Sequence, residues 1–265
     1  MHPESRSVRK AVILAGGLGT RLSEETSLRP KPMVEIGGRP VLWHIMNMYA
    51  HHGVTEFIIC LGYKGYMIKE FFLNYFLHTS DITVDLGSGE TTVHQKRAAP
   101  WKVTLVETGD ATLTGGRIKA VADFVGAEHF CMTYGDGVSD IDISALLDYH
   151  ASHDRDATVS IVRPSGRFGM TELGDEDEVV DFREKLEGET GWINGGFFVL
   201  SPSVFERIEG PETTWEQEPM RGLAEDGQLK AFKHEGYWQA MDTLREKNML
   251  EELWSTGRAP WKVWA

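Results

Sequence analysis

A short apolar run that stops in a cluster of glycines, near the start of the chain, constrains the fold most. The run covers residues 12–14 (Val-Ile-Leu), and the glycines are Gly16, Gly17 and Gly19. An unbroken apolar run that ends in glycines predicts a strand buried on both faces, as in a parallel sheet. Because glycine has no Cβ atom, the backbone of the following turn can adopt left-handed angles and approach a ligand closely.

The residues around this glycine turn favour a phosphate ligand. Successive backbone N–H groups in such a turn form a concavity that binds anions. Thr20 adds a hydroxyl, and Arg21 and Lys31 add two positive charges to a chain whose formal net charge is −13. The alternative interpretation is a tight turn between a strand and a helix, which would need the glycines but neither cation.

The glycine turn matches neither of two well-known nucleotide-binding motifs. A Rossmann fingerprint needs G-x-G-x-x-G, and Leu22 occupies the third glycine position after Gly17 and Gly19. A Walker loop needs Gly-Lys-Ser/Thr, and that triplet does not follow. The missing third glycine argues against a nicotinamide-dependent oxidoreductase.

Apolar strands alternate with amphipathic helices along the chain and predict the fold class. The predicted strands are 12–14, 57–61, 103–106, 130–137, 157–162, 192–200 and 229–232. The predicted helices are 39–53, 67–77, 118–125, 140–150, 213–223 and 243–254. A small β excursion is expected at 81–101 and a hairpin at 168–182. This rhythm indicates parallel βαβ units. We expect one α/β domain over 1–265 with a doubly wound, mostly parallel sheet and a β-rich second half from residue 151.

Composition and charge exclude several classes of protein. A chain of 265 residues with 41% hydrophobic residues can bury a sizeable core. The negative net charge argues against nucleic acid or an anionic membrane as a partner. No apolar stretch is long enough to span a bilayer, and residues 1–9 lack the apolar core of a signal peptide. We therefore expect a cytoplasmic protein.

The sequence context of the cysteines and of a histidine-rich helix predicts packing or surface roles for these residues, and not metal binding or disulfide formation. Cys60 and Cys131 lie in apolar runs, which predicts buried free thiols and neither a disulfide framework nor a zinc site. His44 lies within a predicted helical face, and the adjacent His51 and His52 point in different directions. We expect packing or surface roles for all three.

Ligands of open α/β sheets bind beyond the carboxyl ends of the strands, so three segments are predicted to meet there. They are the glycine turn, the loop 109–117 and the Gly135-Asp136-Gly137 stretch. Asp136 is a candidate ligand for Mg²⁺, which prefers carboxylates together with phosphates and waters. The alternative is an aspartate that only forms a turn before glycine.

The loop 109–117 leads into a predicted helix through small residues. It contains Thr112, Thr114, Gly115, Gly116 and Arg117. A helix N-terminus with small residues offers free N–H groups and a positive dipole to an anion. The alternative is an ordinary glycine-rich start of a helix.

The segment 14–22 (Leu-Ala-Gly-Gly-Leu-Gly-Thr-Arg-Leu), followed by Lys31, resembles the start of the sugar-1-phosphate nucleotidylyltransferases. The strings 21–26 (Arg-Leu-Ser-Glu-Glu-Thr) and 29–38 (Arg-Pro-Lys-Pro-Met-Val-Glu-Ile-Gly-Gly) are similar to the branch that makes CDP-glucose from CTP and glucose 1-phosphate. The similarity extends over nearly the whole chain. It implies a Rossmann-like nucleotide-diphospho-sugar transferase fold, with 10–150 binding the nucleotide and 151–265 the sugar. It also implies Mg²⁺, a homo-oligomer and a role in surface polysaccharide (O-antigen) biosynthesis.

The resemblance also implies which residues form the site. The nucleotide-binding residues would be Leu14, Gly16, Gly17, Gly19, Thr20, Arg21, Lys31, Thr112, Arg117 and Gly135. Arg21, Lys31 and Asp136 would be catalytic, and Asp242 would join Asp136 in holding the metal. Asp242 precedes a predicted helix, so the alternative is that it caps that helix.

For the sugar phosphate, the resemblance implies Gly169, Glu184, Lys185 and Asn194. Glu184 and Lys185 resemble the family's Glu-Lys-Pro motif, with Leu186 in place of the proline. Without the resemblance, this charge run is typical of solvated surface. The stretch 213–219 resembles the cytidylyltransferase branch, but no chemical role follows from its residues. The same reaction with UTP or dTTP and a non-catalytic sugar-nucleotide sensor remain alternative functions.

Overall fold

A seven-stranded sheet runs through the middle of the computed structural model, which describes residues 8–95, 99–163, 170–173, 179–183 and 191–264. In chain order the strands are β1 (Lys10–Leu14), β2 (Glu35–Ile36), β3 (Arg39–Pro40), β4 (Glu56–Leu61), β5 (Asp81–Val84), β6 (Thr91–Gln95), β7 (Lys102–Glu107), β8 (Phe130–Tyr134), β9 (Gly137–Ser139), β10 (Ala157–Val162), β11 (Met170–Leu173), β12 (Val179–Arg183), β13 (Ile193–Leu200), β14 (Leu229–His234) and β15 (Trp238–Ala240). The helices are α1 (Ser23–Thr26), α2 (Val41–His51), α3 (Gly65–Thr79), α4 (Thr114–Ala120), α5 (Ala122–Val125), α6 (Ile143–Ala151), α7 (Glu218–Glu225) and α8 (Leu244–Ser255).

The large sheet has the strand order β14-β10-β13-β8-β1-β4-β7. β1 pairs in parallel with β4 and β8, and the pairs β4–β7 and β10–β14 are also parallel. β13 is antiparallel to both of its neighbours, β10 and β8. The predicted mostly parallel sheet is confirmed, and strands from both halves of the chain lie in it.

Each face of this sheet carries its own hydrophobic core, which explains the unbroken apolar run in β1. Ala11 and Ile13 belong to one core, together with residues of α2, α3, α6 and α8. Val12 and Leu14 belong to the other core, together with residues of α4, α5 and α7. Because helices cover both faces, every side chain of the run is buried, and the predicted doubly wound arrangement is confirmed.

Two helices begin four or more residues away from the start that the sequence predicts. α4 begins at Thr114 and not at 118, so part of the expected loop is helical. α7 begins at Glu218 and not at 213, because Trp215 is buried in the second core and Pro219 occupies the first turn of the helix. The residues 211–217 are therefore an irregular segment, which we call the 211–217 segment.

The C-terminal aromatic residues pack against the body of the protein. Trp261 is fully buried and donates its indole N–H to Nδ1 of His44 over 3.3 Å. The other ring nitrogen of His44 lies 2.9 Å from the carbonyl oxygen of Ile36. Burial lowers the pKa of His44 to about 4, so the ring is neutral at physiological pH. The expected packing role of His44 is confirmed.

The two cysteines are free and fully buried, as predicted. Burial raises the pKa of Cys60 and of Cys131 to about 12, which keeps both thiols protonated. In the part of the chain that the structure describes, we find no helix with the length and hydropathy needed to cross a membrane.

Candidate active site

The glycine turn follows β1 at the carboxyl end of the sheet, and two of its glycines cannot be replaced without a clash. Gly19 has a φ of 64°, and an added Cβ would lie 2.7 Å from Cγ2 of Thr26. An added Cβ at Gly16 would lie 2.1 Å from Nη1 of Arg117. The turn therefore needs glycine both for a left-handed backbone and for close contact with a buried guanidinium.

Arg117 lies directly beneath the glycine turn and is 4% exposed. Its guanidinium donates to the carbonyl oxygens of Leu61 (3.0 Å), Gly16 (3.0 Å) and Asp110 (3.3 Å). It also donates to the hydroxyl of Thr108 over 2.7 Å. These bonds tie the glycine turn to the ends of β4 and β7, so Arg117 supports the shape of the turn from below.

A cavity of about 560 Å³ opens above the glycine turn. Every residue that the resemblance assigns to the nucleotide lines it: Leu14, Gly16, Gly17, Gly19, Thr20, Arg21, Lys31, Thr112, Arg117 and Gly135. Asp136 also lies in its wall. We call this space the nucleotide-side cavity. The three segments that were predicted to meet at the end of the sheet do so here.

Lys31 joins the two aspartates at the floor of this cavity. Its ammonium lies 2.5 Å from Oδ2 of Asp136 and 2.6 Å from Oδ1 of Asp242. Arg21 lies 2.8 Å from the other oxygen of Asp242. Burial opposes the charge of Lys31, but the two carboxylates outweigh it and raise the pKa of Lys31 above its usual value. Lys31 is therefore a fixed positive charge.

A short antiparallel ladder brings Asp242 to this point. β15 pairs with β9, and the N–H of Met241 donates to the carbonyl oxygen of Asp136 over 2.9 Å. The residue that caps α8 is Thr243, which forms a capping box with Glu246. The alternative role of Asp242 as the helix cap is thus wrong, and its carboxylate faces the cations instead.

The two aspartates have the chemistry of a site for a hard divalent cation. Their side chains are 28% and 22% exposed. Asp136 lines this cavity and a second one beside it, and Asp242 lines the second. They already share one cation, the ammonium of Lys31. The described residues contain no group of three or more His, Cys, Asp or Glu that could hold a metal ion. This donor set fits Mg²⁺, which uses one or two carboxylates and completes its shell with phosphates and waters.

A second cavity, of about 250 Å³, opens beside the first. Arg21, Tyr134 and Asp136 line both cavities. Asn194, one of the residues that the resemblance assigns to the sugar phosphate, lies in the wall of the second cavity, which we call the sugar-side cavity. The other three, Gly169, Glu184 and Lys185, lie outside the described residues.

Two aromatic residues of the sugar-side cavity were missed by the sequence analysis. Tyr134 stands between the two cavities, and its position next to Gly135 and Asp136 was the available signal. Trp238 also lines the sugar-side cavity and donates its indole N–H to the carbonyl oxygen of Gly195 over 2.7 Å. In the sequence, its position four residues before Asp242 could have identified it.

The 211–217 segment packs against the start of α4 and explains the two glycines there. A Cβ added at Gly115 would lie 2.8 Å from the carbonyl oxygen of Thr213. A Cβ added at Gly116 would lie 2.5 Å from Cα of Pro211. The N–H of Gly116, which the sequence analysis offered to an anion, donates to the carbonyl oxygen of Thr213 over 3.2 Å. These glycines therefore permit close packing of backbone on backbone.

Comparison with known proteins connects this geometry to a family. The profile of the nucleotidyl transferase family matches residues 10–245. Glucose-1-phosphate cytidylyltransferase of Salmonella typhi is 59% identical over 256 residues, which cover 96% of this chain and 99% of that protein. The crystal structure of HddC from Yersinia pseudotuberculosis matches with a TM-score of 0.68 at 26% identity, covering 93% of this chain and all of that one. Apo UDP-glucose pyrophosphorylase matches with a TM-score of 0.67 at 16% identity, covering 95% of this chain and 99% of that one. These structural neighbours share the nucleotide-diphospho-sugar transferase fold.

Proposed function

Because this chain belongs to the nucleotidyl transferase family, we propose that it transfers a cytidylyl group from CTP to α-D-glucose 1-phosphate. The products are CDP-glucose and pyrophosphate. The observation that carries this proposal is the 59% identity to a glucose-1-phosphate cytidylyltransferase over nearly the full length of both proteins. The two adjoining cavities, which share Arg21 and Asp136, suit two substrates that react at their junction.

In this reaction, a phosphate oxygen of glucose 1-phosphate attacks the α-phosphorus of CTP. A new bond from this oxygen to phosphorus forms, and the bond from the α-phosphorus to the bridging oxygen breaks. Pyrophosphate leaves with the bonding electron pair. The attacking phosphate is already an anion at neutral pH, so no general base is required. Catalysis then depends on positioning and on stabilising negative charge in an in-line displacement.

The residues around the nucleotide-side cavity can supply that stabilisation. Lys31 would neutralise charge at the α-phosphate and on the incoming phosphate. Arg21 would stabilise the departing pyrophosphate, and the N–H groups of the glycine turn would hold the triphosphate. Both cations contact Asp242, which gives each of them a defined position.

Enzymes of this family generally use a divalent metal. We take this metal to be Mg²⁺, held by Asp136 and Asp242. When bound, it would neutralise the phosphate charges that meet at the junction of the two cavities.

The sugar-side cavity, which Asn194 lines, would take the glucose phosphate. The family resemblance assigns Gly169, Glu184 and Lys185 to the same substrate. Both halves of the chain would act as one unit. We further propose that the enzyme is a cytoplasmic homo-oligomer that supplies CDP-activated sugar for surface polysaccharide, including O-antigen.

The direct test is pyrophosphate release from the purified protein with Mg²⁺ and glucose 1-phosphate. CTP, UTP, dTTP, ATP and GTP are offered separately. Release with CTP well above the others is expected. Release led by UTP or dTTP would keep the reaction and overturn the base preference. Tight nucleotide binding without release from any of them would favour a sugar-nucleotide sensor instead.

A further inference from the structure

Next to the residues shared by the two cavities lies an exposed carboxylate, that of Glu216, which the proposed chemistry leaves without a role. Glu216, in the 211–217 segment, accepts a hydrogen bond from the hydroxyl of Tyr134 over 2.5 Å. Its other oxygen accepts a hydrogen bond from the hydroxyl of Thr114 over 2.6 Å. Tyr134 lines both cavities, and Thr114 lines the nucleotide-side cavity. Glu216 thus connects two hydroxyls of residues that line the cavities.

The direction of these hydrogen bonds is determined by the groups at both ends of the network. The N–H of Gly196 donates to Oδ1 of Asn194 over 2.8 Å, which identifies the other side-chain atom as the amide nitrogen. This nitrogen donates to the hydroxyl oxygen of Tyr134 over 3.3 Å. The proton of Tyr134 therefore points to Glu216, because an ionised carboxylate can only accept.

Thr114 is oriented in the same way. The backbone N–H of Trp215 donates to its hydroxyl oxygen over 2.9 Å, and the hydroxyl proton is directed at Glu216. Both hydroxyl protons are therefore engaged by the protein, and neither is available to a substrate. One of the two N–H groups of the Asn194 amide donates to Tyr134, and the other does not.

We propose that Glu216 is a positioning residue that fixes the direction of hydrogen bonding through Tyr134, so that Asn194 presents an N–H donor to an oxygen of the sugar phosphate. The inference rests on the proposed function, because it deepens the role of the sugar-side cavity. Glu216 itself touches no reacting atom.

The charge of Glu216 supports this assignment. A carboxylate next to a site for two anionic substrates repels them, in a chain whose net charge is already −13. Its presence there therefore indicates a specific role. Its short bonds to two hydroxyls are charge-assisted and stronger than neutral ones.

Glu216 is also not needed to hold the 211–217 segment in place. Trp215 is fully buried in the second core. The carbonyl oxygen of Pro211 accepts from the N–H of Leu113 over 2.8 Å, and that of Thr213 accepts from Gly116. A substitution of Glu216 should therefore leave the fold intact and change only the hydrogen-bond network.

The test compares Glu216→Gln with the control Glu212→Gln, which makes the same charge change at an exposed position of the same segment. Glutamine keeps the size of the side chain, but its carbonyl oxygen can accept from only one of the two hydroxyls, and its NH₂, which cannot accept a proton, then faces the other. Either arrangement disturbs the network that orients the Tyr134 hydroxyl. We expect Glu216→Gln to raise KM for glucose 1-phosphate on the order of tenfold, as loss of a hydrogen bond to a charged group does, with a smaller change in KM for CTP. Glu212→Gln should match the wild type, and melting curves should show both variants folded.

A double-mutant cycle with Tyr134→Phe tests whether the effect passes through the Tyr134 hydroxyl. In the Tyr134→Phe background, Glu216→Gln should change KM for glucose 1-phosphate no further, because the link is already broken. Additive effects of the two substitutions would overturn the inference. So would an unchanged KM for glucose 1-phosphate in Glu216→Gln, or an equal rise of both KM values.

Calorimetric titration with glucose 1-phosphate separates this inference from the proposed function. If the wild type turns CTP over and Glu216→Gln behaves like the wild type, only the role of Glu216 fails. If the wild type binds glucose 1-phosphate without turning CTP over, and Glu216→Gln weakens that binding about tenfold, only the proposed function fails.

Discussion

Lys31 is a tightly held charge of the candidate site, since its ammonium contacts two carboxylates and its side chain is only 10% exposed. Removing it would leave Asp136 and Asp242 without their shared cation and would remove a preorganised charge from the phosphates. We expect Lys31→Ala to lower kcat by roughly 100- to 1,000-fold. The measurement is pyrophosphate release, with Lys230→Ala as a control at an exposed position of β14. Near-normal turnover would remove Lys31 from the mechanism.

Asp136 should be as important, but for a different reason. Its carboxylate is one of the two that contact Lys31 in the described part of the chain, and a metal held by Asp242 alone would lack one of its two proposed protein ligands. Chelation should abolish wild-type activity, and added Mg²⁺ should restore it. Asp136→Ala should lose about 100-fold or more at any Mg²⁺ concentration, whereas Asp148→Ala, on the exposed face of α6, should titrate like the wild type. Full rescue of Asp136→Ala by excess Mg²⁺ would contradict its assigned role.

At this scale, the sequence predicts what local chemistry determines. The glycine turn and the Gly-Asp-Gly stretch could be recognised from the sequence. The backbone freedom of the glycines and the oxygen ligands of the aspartate are properties of a few neighbouring residues. The partners of Arg117 are not predictable in this way. Apart from Gly16, they are the carbonyl oxygens of Leu61 and Asp110 and the hydroxyl of Thr108, which only the packing of β4 and β7 brings beneath the turn.

Helix α8 depends on an N-terminal cap that also sets the position of Asp242. The hydroxyl of Thr243 accepts from the N–H of Glu246, and the carboxylate of Glu246 accepts from the N–H groups of Asp242 and Thr243. We expect Thr243→Ala to lower the free energy of unfolding by about 1 kcal/mol. Urea denaturation measures this loss. Thr243→Ser, which keeps the hydroxyl, should restore most of the stability, and equal losses in both variants would exclude the cap as the cause.

Among the elements, strands and long helices were easier to predict than the pieces between them. The apolar runs of β1, β4, β8 and β10 are buried on both faces, so their pattern is strong. β9 and β15 are three residues each, and their pairing is visible only after the chain has folded. The late start of α7 has the same origin, since the burial of Trp215 overrides local helix propensity.

For the whole molecule, the buried ring of His44 predicts a loss of stability in acid. Burial lowers its pKa in the folded state to about 4, against an ordinary value of 6.5. Between these two values the unfolded chain binds the extra proton and the folded chain does not, so this contribution is complete above pH 6.5 and is lost as the pH falls towards 4. Its size is roughly 3 kcal/mol.

The measurement is the free energy of unfolding of the wild type and of His44→Gln as a function of pH. Glutamine can still donate to the carbonyl oxygen of Ile36, but it does not titrate. The difference in stability between the two proteins should shrink as the pH falls from 7 to 4, and a constant difference would exclude His44. Other histidines, such as His150, whose pKa burial lowers to about 3, act on both proteins alike.

The ion-pair cluster at the floor of the site also has a consequence for how the protein is made. Lys31 is separated from Asp136 by 105 positions and from Asp242 by 211. At typical synthesis rates, roughly 10 to 40 seconds pass between the addition of Lys31 and that of Asp242 to the growing chain. During that time the glycine turn and its strand are already outside or leaving the ribosome, but one carboxylate is missing. The cluster of Lys31 with its two carboxylates can therefore form only late in synthesis, once β15 has been made and has joined β9.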